Sequence, residues 1–400
     1  MDYDGTVMMH LTPDLEKDVA LCLDDWRATG KVSKLWNKDA SLWTGRDEDQ
    51  WLGWLDLTVS DEERLAQYQQ FAESVRSRAF AHAVVCGMGG SSLCPEVLGV
   101  TFGRVTGFPQ LHVLDSTDPA QIRVLEGRLD LARTLFIVSS KSGTTLEPNV
   151  FEAYFHERVK QTLGRDDVGD RFVAVTDPGS ALEKMGRKEG FSHVFHGVPS
   201  VGGRYSALSD FGMIPAAAMG LDVGDFLKRA HRMAAATAPS VSVEDNPGVE
   251  LGAVLGAAAK RGIDKLTLVI SPAMYDLGAW LEQLVAESTG KEGKAIIPVD
   301  REVLGSPDVY GDDRLFVYTR LESEADGHQD KAIEKLVAAG KPVVTIPVED
   351  IRDLGQEFFR WEIATAVAGS LLGINPFDQP DVEASKVATK KLTSAYEETG

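Results

Sequence analysis

Leu135-Phe136-Ile137-Val138-Ser139-Ser140-Lys141-Ser142-Gly143-Thr144-Thr145-Leu146-Glu147 is the stretch on which the reading of this chain turns. An apolar run leads directly into five hydroxyl side chains gathered around one glycine, and a helix-like segment, 149–159, follows. A buried strand therefore ends in a loop of small donors that feeds a helix N-terminus. Such a loop binds phosphate, because backbone N–H groups and hydroxyls point at the oxygens and the helix dipole favours the charge. The same letters also describe a Ser/Thr-rich turn with an N-cap. The choice between the two rests on whether a second phosphate loop and a reactive set occur elsewhere.

Upstream, Ala81-His82-Ala83-Val84-Val85-Cys86 reads as a buried strand, Gly87-Met88-Gly89-Gly90-Ser91-Ser92 as a glycine-rich loop, and 93–98 as the start of a helix. The glycine spacing is not that of a dinucleotide loop, but adjacent glycines let a ligand approach the backbone. The alternation continues with strands at 111–114, 172–176 and 194–196 and a helix near 119–126. After helices beyond Pro215 and at 246–259, strands resume at 266–270, 315–318 and 343–346, and 354–392 reads as helical with an interruption at Gly373-Ile374-Asn375-Pro376. Short apolar strands alternating with helices imply an α/β fold with parallel sheets covered by helices on both faces. We expect a helical N-terminal arm at 1–77 and two α/β domains at 78–225 and 226–400, the boundary falling near 222–245. Trp26, Trp36, Trp43, Trp51 and Trp54 are expected to pack that arm onto the body.

A chain of 400 residues with 43% hydrophobic and 26% charged content suits a two-domain globular protein. No apolar run reaches the ~20 residues of a membrane span, and residues 1–5 show no secretory signal. Cys22, Cys86 and Cys94 are sparse and lack zinc spacing, which suits a reducing cytoplasm. A net charge of −20 argues against nucleic acid as a partner. It also means that an anionic ligand must be held by local donors and placed cations rather than by the overall field.

Further segments offer chemistry. Gly202-Gly203-Arg204-Tyr205-Ser206 sets an arginine beside two glycines, either as a surface turn or as an anion-stabilising guanidinium in a pocket. In Gln283-Leu284-Val285-Ala286-Glu287-Ser288-Thr289-Gly290-Lys291, Glu287 has apolar neighbours that would partly bury it, as suits a general base, although an ordinary helix-terminal glutamate reads the same way. His328 lies in Asp326-Gly327-His328-Gln329-Asp330, and Lys386 follows Pro380-Asp381-Val382-Glu383-Ala384-Ser385. Alone, these two read as a loop histidine and a solvated helix lysine.

Together, in order and local context, the glycine loop, the serine loop, Gly202–Ser206, Glu287–Lys291 and the segment Asn375-Pro376-Phe377-Asp378-Gln379-Pro380 through Lys386 resemble glucose-6-phosphate isomerase over about residues 78–390. The resemblance implies two sugar-isomerase (SIS) domains holding an acyclic sugar phosphate between them. It implies that Gly89, Gly90, Ser91, Ser140, Lys141, Ser142 and Thr145 bind the phosphate end, and that Gln283 and Gln379 contact the sugar. It implies that Glu287 carries a proton between C2 and C1 through a cis-enediol, with Arg204 beside the enediolate oxygens, and that His328 and Lys386 open the ring. No cofactor and no metal are implied. A homodimer in which His328 completes the neighbour's site is. Gly143, where members ordinarily carry a bulkier residue, Cys94 in place of a usual glycine, and Phe358-Phe359-Arg360-Trp361-Glu362 resemble the isomerase half of bifunctional transaldolase/glucose-6-phosphate isomerases, so a fused or separate transaldolase partner is a further expectation. Two competing readings stand beside this one: a dual glucose/mannose-6-phosphate isomerase, and a non-catalytic SIS sugar-phosphate sensor.

Overall fold

The computed structural model describes residues 7–59 and 61–400, the side chain of Glu383 excepted. Residues 1–5, read above for the absence of a signal, lie outside the described residues. The strands are β1 (Met8–His10), β2 (His82–Cys86), β3 (Gln110–Leu114), β4 (Thr134–Ser139), β5 (Phe172–Thr176), β6 (His193–His196), β7 (Lys265–Ile270), β8 (Ile297–Val299), β9 (Arg314–Leu321) and β10 (Val343–Val348). They form two five-stranded sheets, ordered β3-β2-β4-β5-β6 and β1-β10-β9-β7-β8. The first sheet is parallel throughout, with Val84 opposite Phe136 and Val138 opposite Ala174.

Alternation along the strands explains why helices cover both faces. Ala83, Val85, Leu135 and Ile137 join the large central core, whereas Val84, Phe136 and Val138 point to a second core on the opposite face. The second sheet divides likewise: Leu268 and Val317 face the central core, and Val269 and Phe316 face a smaller one. A strand buried on both faces reads as a continuous apolar run, and the sequence shows such runs.

Two strands escaped the sequence reading. β1 comes from the N-terminal arm and pairs antiparallel with β10, so the arm is not purely helical and the second sheet is not purely parallel. β8 pairs with β7 over only three residues, too few for periodicity to register. The rest of the arm is helical, with Pro13–Ala28, Lys31–Trp36 and Glu62–Ser77 as its main elements. Trp26 and Trp54 are fully buried. Trp36 donates to the Thr237 carbonyl and Trp43 to the Ala366 carbonyl, both at 2.8 Å, which fastens the arm to the body.

The central element is the helix Leu354–Leu372, buried on nearly every side. Helix Pro247–Lys260 packs along it through Gly248, Gly252 and Gly256. A Cβ on Gly252 would lie 2.5 Å from Val367 Cβ and 2.6 Å from the Ala364 carbonyl oxygen, and one on Gly248 would lie 2.5 Å from Ile363 Cγ2. Glycine every fourth residue thus keeps one face flat for close approach. Helix Val223–Ala236, which occupies most of the expected boundary segment, packs against the same central helix. The central helix leads directly into residues 373–379, which reach the site.

Candidate active site

In the first sheet the chain passes from β2 outward to β3 and then returns to β4 on the other side of β2. The loops after β2 and β4 therefore diverge at a topological switch point, where open α/β sheets leave a crevice at the strand ends. A cleft of about 570 Å³ opens there, and the loops 88–91, 139–142 and 177–180 line one side of it.

The serine loop is shaped by its own hydrogen bonds. Gly143 N donates to Ser140 Oγ at 3.2 Å, Thr144 N donates to Ser142 Oγ at 3.2 Å, and Asn149 Nδ2 donates to the Gly143 carbonyl at 3.3 Å. Thr145 is the N-cap of helix Leu146–Leu163, so the hydroxyls stand at the positive end of an 18-residue helix. The Lys141 ammonium turns aside to Asp177 and to the Pro199 carbonyl. Gly143 adopts φ +67°, and a Cβ there would sit 2.3 Å from Leu182 N. Close packing against the helix Ala181–Lys188 therefore requires glycine at this position.

The glycine loop closes on the arginine loop. A Cβ on Gly90 would lie 2.0 Å from the Gly203 carbonyl oxygen, and one on Gly89 (φ +53°) would lie 2.7 Å from Gln283 Nε2. Arg204 is 1% exposed. Its Nε donates to Ser288 Oγ at 2.7 Å, and its Nη2 donates to the carbonyls of Pro376 at 2.6 Å and Asp378 at 2.9 Å. Its Nη1 has no hydrogen-bond partner among the described residues. That nitrogen lies 3.8 Å from Glu287 Oε1. A buried cationic donor left unmade is costly, so the site is arranged for a ligand acceptor to complete it.

Gln283 and Glu287 lie four residues apart on helix Leu277–Thr289, hence on one face, and both line the cleft. The Glu287 side chain is 21% exposed, so it is partly shielded yet reachable. Gln379, Val382 and Lys386 enter from the start of helix Pro380–Thr399. Within one chain, twelve of the thirteen residues singled out from the sequence share this cleft: Gly89, Gly90, Ser91, Ser140, Lys141, Ser142, Thr145, Arg204, Gln283, Glu287, Gln379 and Lys386. His328 does not. It stands in the first turn of helix Gly327–Ala338 and lines a separate pocket of about 450 Å³ with Tyr275 and Arg301.

A partly buried carboxylate, a buried guanidinium with a donor to spare, and a loop of hydroxyls at a helix N-terminus make a site for proton transfer on an anionic, oxygen-rich ligand. The family model for phosphoglucose isomerase matches residues 56–304. The glucose-6-phosphate isomerase of Rubrobacter xylanophilus is 31% identical over 380 residues, covering 82% of this chain and 86% of that protein. This chain belongs to the phosphoglucose isomerase family. The glucose-6-phosphate isomerase of Staphylococcus epidermidis is 30% identical, with 86% of each chain covered. Among solved structures, a hypothetical protein of Thermus thermophilus superposes with a TM-score of 0.82 at 25% identity, covering 96% of this chain and all of that one (100%). A glucose-6-phosphate isomerase from Chlamydia trachomatis gives 0.70 at 22% identity, covering 84% of this chain and 74% of that one.

Against this phosphoglucose isomerase frame, the sequence reading missed the third loop of the cleft, Asp177-Pro178-Gly179-Ser180. A signal was present, since a turn-forming Asp-Pro-Gly directly follows an apolar strand. Ser288 and Lys291 were also passed over as holders of the Arg204 neighbourhood. Ser288 contacts Arg204 and Lys291 contacts 375–378, each more than eighty positions away, which local sequence does not reveal.

Proposed function

We propose that the chain interconverts glucose 6-phosphate and fructose 6-phosphate, with the phosphate held by Ser91, Ser140, Ser142 and Thr145. Glu287 takes the proton from C2 of the open-chain aldose, giving a cis-enediol, and returns it to C1. Arg204 Nη1 stabilises the negative charge that develops on the substrate oxygen. Gln283 and Gln379 hold the sugar hydroxyls, and Lys386 serves ring opening from its place on the cleft wall. The reading is carried by one observation: the unmade Arg204 donor stands 3.8 Å from Glu287 in the same cleft as the serine loop. A base and an oxyanion donor side by side are what an aldose–ketose proton transfer demands.

His328 enters this proposal from a second copy. Its separation from the cleft within one chain supports a homodimer in which it completes the neighbouring site. Kinship with the isomerase half of the bifunctional transaldolase enzymes, with a transaldolase as fused or separate partner, is proposed from the residue types at Gly143, Cys94 and 358–362. A reducing cytoplasm suits the three unpaired cysteines, and no helix among the described residues is long and apolar enough to cross a membrane.

One experiment tests the function. Glucose 6-phosphate and mannose 6-phosphate are assayed in parallel through a coupled readout of fructose 6-phosphate, on enzyme taken from a sizing column. Rapid turnover of the glucose ester by a dimer, with the mannose ester slow, is expected. Equal rates on both esters would replace the assignment with a dual isomerase, binding without turnover would replace it with a sensor, and a fully active monomer would refute the shared site.

A further inference from the structure

The Lys291 side chain is 7% exposed and stands one residue beyond the C-cap of the helix that carries Glu287. Its Nζ donates to the carbonyls of Asn375 at 2.6 Å and Asp378 at 2.7 Å, and it pairs with the Asp378 carboxylate at 2.6 Å. Both hydrogen bonds and the ion pair fall on one loop. That loop presents the Pro376 and Asp378 carbonyls to Arg204 Nη2 and leads directly into Gln379. The Asp378 carbonyl is shared, accepting from Lys291 on one lone pair and from Arg204 on the other. Arg204 is thus oriented by backbone that Lys291 holds.

We propose that Lys291 is a positioning residue of this site, acting through the loop 375–378 to aim the free Arg204 nitrogen. The inference rests on the isomerase reading of the cleft. Loss of its proton would cancel the pairing with the Asp378 carboxylate. Burial brings its pKa down from the ordinary lysine value to about 8, with the Arg204 charge acting the same way and Asp378 and Glu287 acting against it. Arg46, Glu292, Lys294 and Asp381 face the same pocket from the arm, the turn after the helix and the start of helix Pro380–Thr399. Turnover should therefore decline above about pH 8 as the clamp loses its ion pair.

The test is a double-mutant cycle on purified enzyme, with kcat and KM measured for fructose 6-phosphate in Lys291→Met, Arg204→Lys and the double variant. Misaiming a guanidinium costs on the order of 100-fold. K291M is therefore expected to lose about that in kcat, with KM nearly unchanged because the phosphate loops lie elsewhere. In the R204K background the same change should cost under ~3-fold, since residues acting as a unit are non-additive. Equal losses in both backgrounds, or a loss carried by KM, would overturn the proposal. If K291M does not fold, the wild-type profile decides: kcat falling above about pH 8 with KM flat supports the clamp, and kcat level to about pH 9.5 refutes it. Wild-type enzyme inactive on both hexose phosphates would sink the isomerase reading itself, before the cycle begins.

Discussion

Gly143 shows how much a single residue can say. In sequence it stood out as a departure from bulkier residues; in the structure it has φ +67° and no room for a Cβ beside Leu182 N. The left-handed backbone costs a non-glycine residue about 1–2 kcal/mol, and the clash adds to that. Gly143→Ala should therefore displace the serine loop and raise KM for fructose 6-phosphate roughly tenfold, the factor that ~1.4 kcal/mol represents, while kcat changes little. Steady-state kinetics check this, and an unchanged KM would mean that the loop does not hold the phosphate. Other residues were legible because their chemistry is local. Ser140, Ser142 and Thr145 announce a donor loop by composition, whereas Glu287 and Gln283 gained their roles only through the family resemblance, and their shared helical face is seen in the structure. The roles of Ser288 and Lys291 depend on partners at Arg204 and at 375–378, and no local pattern encodes those.

At the scale of elements, the parallel strands were plain because each is buried on two faces and reads as an apolar run. β1 was not, since it is three residues long at an edge and its partner β10 lies more than three hundred residues away. The Ala- and Gly-rich helix Pro247–Lys260 was legible as a helix, but the reason for its glycines was not. They allow the central helix Leu354–Leu372 to come close. Gly252→Ala sets two effects against each other. Alanine gains up to ~1 kcal/mol of helix propensity, whereas overpacking a tight contact costs typically ~1–3 kcal/mol. With Ala364 O at 2.6 Å the obstacle is backbone, which cannot rotate away, so the variant should melt at a lower temperature than wild type. A higher melting temperature would show that the helices separate freely. Since the central helix delivers the loop that holds Arg204, activity should fall together with stability.

At the scale of the molecule, a net charge of −20 surrounds a cleft suited to an anion. The resolution is local. Arg204 and Lys386 line the cleft, Lys291 stands behind it, and the serine loop adds uncharged donors at a helix N-terminus. Attraction over a distance is thus exchanged for short-range recognition, which salt screens only weakly where the groups are buried. In the proposed reaction the two halves of the chain divide the labour: loops of the first sheet hold the phosphate, and Gln283, Glu287, Gln379 and Lys386 come from the second half. His328 is the residue that one chain alone does not bring into the cleft. The most direct measurement is hydrogen exchange at C1 of fructose 6-phosphate and at C2 of glucose 6-phosphate in deuterated water, followed by NMR for wild type and Glu287→Gln. Wild type should incorporate deuterium rapidly and the variant at a rate lower by roughly a thousandfold, the loss expected for removing a general base, with phosphate binding retained. Exchange at the wild-type rate in E287Q would contradict the role of Glu287 as the base.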